Sequence, residues 1–142
     1  MSEWKNIVTM DDINELAKIY HDFEDSLIVR FTFESGNYVD DQGVGHGYDT
    51  NNLVVLFQRM DKNPFSIEIL FEGTGKINFL APVPDVPGYD WVPDILYAKL
   101  TKDEDFFYWT LWKDFDPYNE EHLQYNDFIL IQAKKVKWRV VS

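Results

Sequence analysis

The stretch FSIEILFEG, residues 65–73, decides the fold that this sequence predicts. Its side chains form an apolar set and a polar set that alternate along the chain: Phe65, Ile67, Ile69 and Phe71 against Ser66, Glu68 and Glu72. A period of two is that of a β-strand, whose successive side chains point to opposite faces of a sheet. We therefore expect a strand with one face in the core and the other toward solvent.

Further strands are predicted on either side of this stretch. In SLIVRFTFE, residues 26–34, the alternation places four side chains in the core: Leu27, Val29, Phe31 and Phe33. NLVVLFQRM, residues 52–60, is apolar on both faces over 53–57, which is typical of a central strand. The tripeptide Gly73-Thr74-Gly75 predicts a tight turn into KINFL, and therefore a hairpin.

The second half of the chain adds three more strand segments. They are DILYAKLT at 94–101, DFFYWTLW at 105–112 and DFILIQAKKVKWRVV at 127–141. Short connections between strands favour antiparallel pairing, because parallel strands need a long crossover. We therefore expect a sheet of about seven strands, mostly antiparallel.

One helix is predicted before the strands begin. In TMDDINELAKIY, residues 9–20, apolar residues recur at spacings of three and four: Ile13, Leu16, Ala17 and Tyr20. That spacing gives one apolar stripe, and Thr9 or Asp11 can cap the helix N-terminus. The stripe is expected to cover a face or an end of the sheet.

These elements together predict the fold class. We expect an α+β fold that is mostly β, with the N-terminal helix packed on a twisted antiparallel sheet, as a sandwich or half-barrel. The chain has 142 residues, of which 17% are aromatic, so residues 1–142 are expected to form a single domain.

The charge of the chain limits its partners. Acidic residues outnumber basic ones 25 to 13, which gives a formal net charge of -12. Such a surface repels nucleic-acid phosphates and anionic lipid headgroups, and it attracts basic proteins. The first residues show no signal-peptide pattern, and no apolar run approaches the roughly 20 residues that span a bilayer. We expect a cytoplasmic protein that binds neither nucleic acid nor membrane.

Cofactors and metals are not expected. The chain has no cysteine, which excludes thiolate metal sites and a cysteine nucleophile. Its three histidines are spread along the chain, whereas a zinc site needs three or four ligands in a defined geometry. We assign no catalytic residue.

Aromatic and acidic residues in two loops form a candidate protein interface. It consists of six residues: Tyr89, Asp90, Trp91, Asp94, Asp103 and Glu104. The first four lie in or beside the proline-rich segment 81–93, and the last two lie in a turn between predicted strands. Aromatic side chains dominate binding hot spots, so Tyr89 and Trp91 are the expected anchors.

A different interpretation places a small-ligand site between loops 35–51 and 81–93. Four polar residues are candidates for binding the ligand: His21, Asp22, His46 and Asp49. This interpretation predicts a concave pocket that holds two or more of these side chains, with Tyr89 beside them. It would make the protein a small-ligand binder or a hydrolase.

The chain also resembles small uncharacterised bacterial proteins of the polymorphic-toxin immunity type. The resemblance rests on the His21-Asp22 step after a short helix, Ser26 at the start of the first strand, YNDFIL at 125–130 and Lys137-Trp138-Arg139. It implies a bacterial protein that neutralises a cognate toxin by direct binding, without catalysis.

The leading functional prediction is therefore a non-enzymatic, acidic protein-binding domain, of the immunity type. A basic toxin is the partner that the charge favours. The alternatives are the small-ligand binder or hydrolase, and self-association into a homo-oligomer through an exposed sheet edge.

Overall fold

The computed structural model describes residues 3–48, 50–61, 63–81 and 92–142. The fold is α+β and mostly β, as predicted. The strands are β1 Lys5–Ile7, β2 Ser26–Glu34, β3 Tyr38–Val39, β4 Gly45–His46, β5 Asn52–Arg59, β6 Ser66–Asn78, β7 Lys99–Lys102, β8 Phe107–Thr110 and β9 Leu130–Val140. The helices are α1 Met10–Ile19 and α2 Glu120–Gln124, and a short 3-10 turn covers His21–Phe23.

Seven of these strands form one antiparallel sheet. Its order is β2-β5-β6-β9-β8-β7, and β1 also pairs with β9. The long strand β9 has β6 on one side, while β8 and then β1 share its other side, at 130–133 and 136–138 respectively. Strands β3 and β4 form a separate hairpin. Strands β7 and β8 are shorter than the sequence predicts.

Helix α1 begins at the predicted place and buries the predicted stripe. The Thr9 side chain accepts a hydrogen bond from the Asp12 N–H, and the Asp12 carboxylate accepts one from the Thr9 N–H. This reciprocal cap satisfies N–H groups that the helix leaves unpaired. Ile13 and Leu16 are buried in the main core. Burial of each such side chain contributes roughly 1.5–3 kcal/mol.

The two ends of the sheet meet at Ile95. Its C=O accepts from the Asp25 N–H at 2.9 Å, and its N–H donates to the Ser26 C=O at 2.8 Å. The segment that leads into β7 is thereby bonded to the start of β2. Phe23 and Trp109 are fully enclosed and lie 5.5 Å apart between their ring centroids.

The predicted hairpin at Gly73-Thr74-Gly75 is wrong. Strand β6 runs without a turn from Ser66 to Asn78, and it stays paired with β9 on both sides of these glycines. A bulge between Thr74 and Lys76 absorbs the irregularity, and Gly73 has a φ of +63°. The glycines therefore lie at a bulge, which needs the same backbone conformational freedom as a turn.

The predicted core face of β2 is wrong in its first half. The residue that pairs with the buried Phe57, and so shares its face of the sheet, is Ile28 and not the predicted Leu27 or Val29. Val29 is 49% exposed. A bulge between Ile28 and Arg30 inserts one extra residue, which moves the preceding side chains to the opposite face. Beyond the bulge, Phe31 packs against the core as predicted. Phe33 pairs with the buried Leu53 but is itself 48% exposed, so its predicted place in the core is wrong.

Candidate functional site: an acidic surface with an aromatic centre

The β8–β9 connection, residues 111–129, packs on the outer face of the sheet. Trp109 on β8 points into the main core, so the adjacent Tyr108 points outward. Tyr108 forms a second, smaller buried cluster with Phe115 of the connection and Leu130 of β9. The connection is therefore held in place by apolar contacts of its own.

Two lysines fasten the same connection to the sheet. Lys99 of β7 donates to the carbonyl oxygens of Lys113 and Phe115, at 2.8 and 2.7 Å. Lys76 of β6 donates to the carbonyl oxygen of Leu123 at 2.7 Å. Hydrogen bonds from an ammonium group are stronger than those between neutral groups. Residues of the connection are thus positioned from two separate strands.

Four rings of this connection, which we name the aromatic cluster, pack against one another: Trp112, His122, Tyr125 and Phe128. The Trp112 ring centroid lies 4.3 Å from that of His122, 5.3 Å from Tyr125 and 5.2 Å from Phe128. Trp112 is half-buried, and Tyr125 is 48% exposed. The cluster is therefore ordered by packing and still open to solvent on one side.

The stretch of sequence that contains the aromatic cluster is rich in carboxylates. Between residues 103 and 128 there are eight acidic residues and a single base, Lys113. The acids are Asp103, Glu104, Asp105, Asp114, Asp116, Glu120, Glu121 and Asp127. We name these acids together with the aromatic cluster the acidic-aromatic surface. Exposed rings beside carboxylates suit a cationic group, which a ring face and a carboxylate both attract.

The predicted residues Asp103 and Glu104 belong to this surface. The Asp103 carboxylate accepts from the N–H groups of Asp105 and Phe106 at 2.8 Å, and from the hydroxyl of Tyr108 at 2.8 Å. Partial burial would raise the pKa of Asp103, but these hydrogen bonds outweigh it and lower that pKa. Asp103 therefore shapes the β7–β8 turn. Glu104 accepts from the hydroxyl of Tyr118 at 3.1 Å.

Of the other four predicted interface residues, only Asp94 lies within the described part of the chain. Tyr89, Asp90 and Trp91 lie outside the described residues, as does Asp49. Asp94 lines a different, apolar cleft beside Ile95.

The apolar cleft has a volume of about 440 Å³. Its walls include Ile28 of β2, Phe79 and Leu80 after β6, Leu111 and Ile129. It borders the predicted loop 81–93, but its described walls include no residue of the other predicted loop, 35–51. The cleft is thus apolar, unlike the predicted polar pocket.

The histidines predicted for a ligand site lie in different elements, His21 in the 3-10 turn and His46 in β4. His21 is exposed after α1, and Asp22 lines a small cleft between α1 and β7. His46 Nε2 lies 2.9 Å from the Asp40 carboxylate in its own β3–β4 hairpin, and this contact lowers the pKa of Asp40. Among the described residues, no group of three or more His, Asp or Glu is placed to hold a metal ion.

Sequence reasoning missed Trp112, Tyr125 and Phe128 as surface residues. The signal was present, because aromatic and acidic residues are both dense over 103–128. Alternation assigned Trp112 to a strand, whereas β8 ends at Thr110. What the sequence did not contain was the stacking that brings the three rings together.

Comparison of the chain with family models, with curated proteins and with solved structures finds no match. Neither helix of the described residues is long and apolar enough to cross a membrane.

Proposed function

We propose that this chain is a non-enzymatic protein-binding domain that holds a basic partner on its acidic-aromatic surface. The observation that carries the proposal is the aromatic cluster around Trp112, in which Tyr125 is 48% exposed. It belongs to a stretch of sequence, 103–128, that has eight acids and one lysine. The finer proposal is an immunity-type role, in which the partner is a basic toxin that binding neutralises.

The physical basis is that charge acts on the association rate, whereas the aromatic rings act on the dissociation rate. The net charge of -12 attracts a basic protein over a distance, which speeds association at low salt. Once in contact, exposed aromatic rings provide the apolar area and cation–π contacts that slow dissociation. Because Lys76 and Lys99 already fix the segment, little ordering is left to oppose binding.

A matched pair of variants tests the charge. Glu120 and Glu121 are exposed on α2, so Glu120→Gln with Glu121→Gln removes two charges from the surface. The control, Glu3→Gln with Glu15→Gln, removes two exposed charges elsewhere. Tagged wild type and both variants are used to capture proteins from the native lysate at low and high salt. The partner is then purified, and its association rate with each protein is measured.

The expected partner is basic and stoichiometric. It is lost at high salt and associates more slowly with the α2 variant than with the control. Equal association rates for the two variants, or a rate that salt does not change, would refute a role for this surface. For the immunity role, the purified partner must also be toxic when expressed alone and harmless when expressed with this chain.

Trp112 is tested separately from charge. Trp112→Ala should raise the dissociation rate of the captured partner about tenfold or more, as for an interface hot spot. Tyr48→Ala, which removes an exposed ring from the region of the β3–β4 hairpin, is the control. A circular-dichroism melt of each variant distinguishes lost binding from lost folding.

A second candidate function is the binding of a small apolar ligand in the cleft beside Ile95. Its volume of about 440 Å³ is of the size that small-molecule sites have. Native mass spectrometry of the purified chain, followed by thermal-shift assays with medium-chain fatty acids, tests this function. Leu80→Gln at the cleft should abolish the shift, whereas Val44→Gln, on another loop and of similar exposure, should keep it. No bound mass and no shift would remove this candidate.

A further inference from the structure

Strand β2 ends the sheet on one side. It is first in the strand order and pairs with β5 alone among the named strands. Ile95 bonds to its beginning, at Ser26. From Ile28 to Glu34, no strand of the described residues pairs with its other side. An edge of this length presents backbone groups that another strand can pair with.

The backbone groups at this edge follow from the ladder between β5 and β6. The Arg59 N–H donates to the Phe65 C=O at 2.7 Å, so this residue of β5 faces β6. Along an antiparallel strand, successive residues direct their N–H and C=O groups to alternate sides. The alternate residues Leu56 and Val54 therefore face the opposite neighbour, which is β2.

The β2 residues that pair with Leu56 and Val54 show in which direction the backbone groups of β2 point. Leu56 pairs with Arg30 and Val54 pairs with Thr32, so Arg30 and Thr32 direct their backbone groups to β5. The residues between and after them, Phe31 and Phe33, direct theirs to the side of β2 that no described strand pairs with. Two residues thus offer both an N–H and a C=O for a further strand.

The side chains of this edge are complementary to those of the same edge in a second copy of the chain. We propose that β2 pairs antiparallel with β2 of a second copy of the chain, about a twofold axis at Thr32. In this register Phe31 lies opposite Phe33 of the second copy, and the two pairs exchange four backbone hydrogen bonds. Arg30 then lies opposite Glu34 of the second copy, and the same ion pair recurs across the axis.

Charge and exposure favour this register over its neighbours. A slip of two residues in either direction places Arg30 away from Glu34 and loses both ion pairs. Phe33 is 48% exposed, and pairing at the edge would cover it against an aromatic ring. The inference is independent of the proposed basic partner, because β2 contributes nothing to the acidic-aromatic surface.

Salt separates the two proposals. Each copy carries a net charge of -12, so two copies repel one another at low salt. Added salt screens this repulsion, so dimerisation should strengthen at moderate salt, whereas binding of a basic partner weakens. Sedimentation equilibrium from low to high micromolar protein, at two salt concentrations, measures the dimer dissociation constant.

Charge reversal on β2 gives the decisive test. Arg30→Glu places like charges opposite each other at both ion pairs, and Glu34→Arg does the same with the opposite sign. Each variant alone should dimerise about tenfold more weakly or worse, because facing like charges repel. An equimolar mixture of the two variants should form a heterodimer, since every facing pair then has opposite charges. Lys18→Glu on α1 is the control and should dimerise as wild type does.

Three outcomes would overturn the proposal. They are a wild-type chain that stays monomeric throughout the concentration range, a dimer that neither reversal weakens, and a mixture that does not associate. Both residues are exposed, so the variants are expected to fold, and the heterodimer itself reports that they do.

Discussion

The ammonium group of Lys99 lies 2.7 Å from the carbonyl oxygen of Phe115. This hydrogen bond joins strand β7 to the β8–β9 connection. It is partly buried, beside the smaller core that contains Phe115. Burial lowers the pKa of Lys99, while the nearby carboxylates of Asp114 and Asp116 oppose that shift. The two hydrogen bonds of Lys99 hold the backbone at Lys113 and Phe115 against strand β7.

Lys99→Met should loosen this connection. The substitution keeps most of the apolar stem but leaves two carbonyl oxygens without their donor, at a cost of about 1–2 kcal/mol in unfolding free energy. Urea denaturation measures the loss, and hydrogen exchange should quicken within 111–128. Lys18→Met, on the exposed face of α1, should change neither measurement appreciably.

Tyr108→Phe should destabilise the protein, and Tyr118→Phe should not. Both hydroxyls donate to a carboxylate, Tyr108 to Asp103 and Tyr118 to Glu104. Tyr108 is buried and its hydroxyl also accepts from Gln132, whereas Tyr118 is 65% exposed. We expect a loss of about 1 kcal/mol for the first and a negligible loss for the second, by urea denaturation. Equal losses would contradict this assignment.

The contacts of the Tyr108 hydroxyl also predict a change in the pH at which this side chain ionises, which ultraviolet titration measures. Burial raises the pKa of Tyr108 to about 12, and the hydrogen bond to Asp103 adds to this effect while that from Gln132 opposes it. In Asp103→Asn the carboxylate contribution disappears, so Tyr108 should ionise at a lower pH. Phenolate absorbance near the alkaline end of the stable range measures the shift, and Glu15→Gln on α1 is the control.

Asp103 should contribute to the acid sensitivity of folding. Its hydrogen bonds lower its pKa below the ordinary value of 3.8 in the folded state. A group with a depressed folded pKa stabilises the protein fully above the unfolded pKa, and this stabilisation is lost as pH falls through the folded pKa. The unfolding free energy of Asp103→Asn should therefore decline less steeply below pH 3.8 than that of wild type. Parallel urea curves for the two proteins over that range would refute the contribution.

Gly73→Ala should cost more than Gly45→Ala. Gly73 has a φ of +63°, which an alanine adopts at a cost of roughly 1–2 kcal/mol. Gly45 has no left-handed backbone and no atom within 4 Å of an added Cβ, so alanine there should be neutral or slightly stabilising. Thermal melts of the two variants make the comparison. A neutral Gly73→Ala would show that the bulge in β6 does not need glycine.

Much of the fold was predictable from local pattern. The helix cap at Thr9 and the strand alternation from Ile67 to Phe71 depend on residues close in sequence. The errors occurred where an irregularity interrupted the pattern. The bulge at Val29 changed which side chains of β2 face the core, and the bulge after Gly73 replaced a predicted turn.

The candidate site was predictable only in part. Asp103 and Glu104 were identified from acidity in a turn, and each accepts a hydrogen bond from a tyrosine hydroxyl, of Tyr108 and Tyr118 respectively. Trp112 was assigned to a strand, because periodicity does not reveal where a strand ends. Its stacking on Phe128 joins positions 16 residues apart, and no local spacing encodes such a contact.

By itself the sequence determined the class of the fold, the place of α1, most of the strands and the acidic charge. These properties follow from side-chain period, from capping residues and from composition, all of which act over a few residues. The tertiary structure alone decided that Tyr108 faces outward into a second core and that β2 comes last among the described strands of the sheet. It also decided that Lys76 and Lys99 fasten the aromatic cluster to the sheet. Such features depend on contacts between distant segments, which form only when the whole chain has folded.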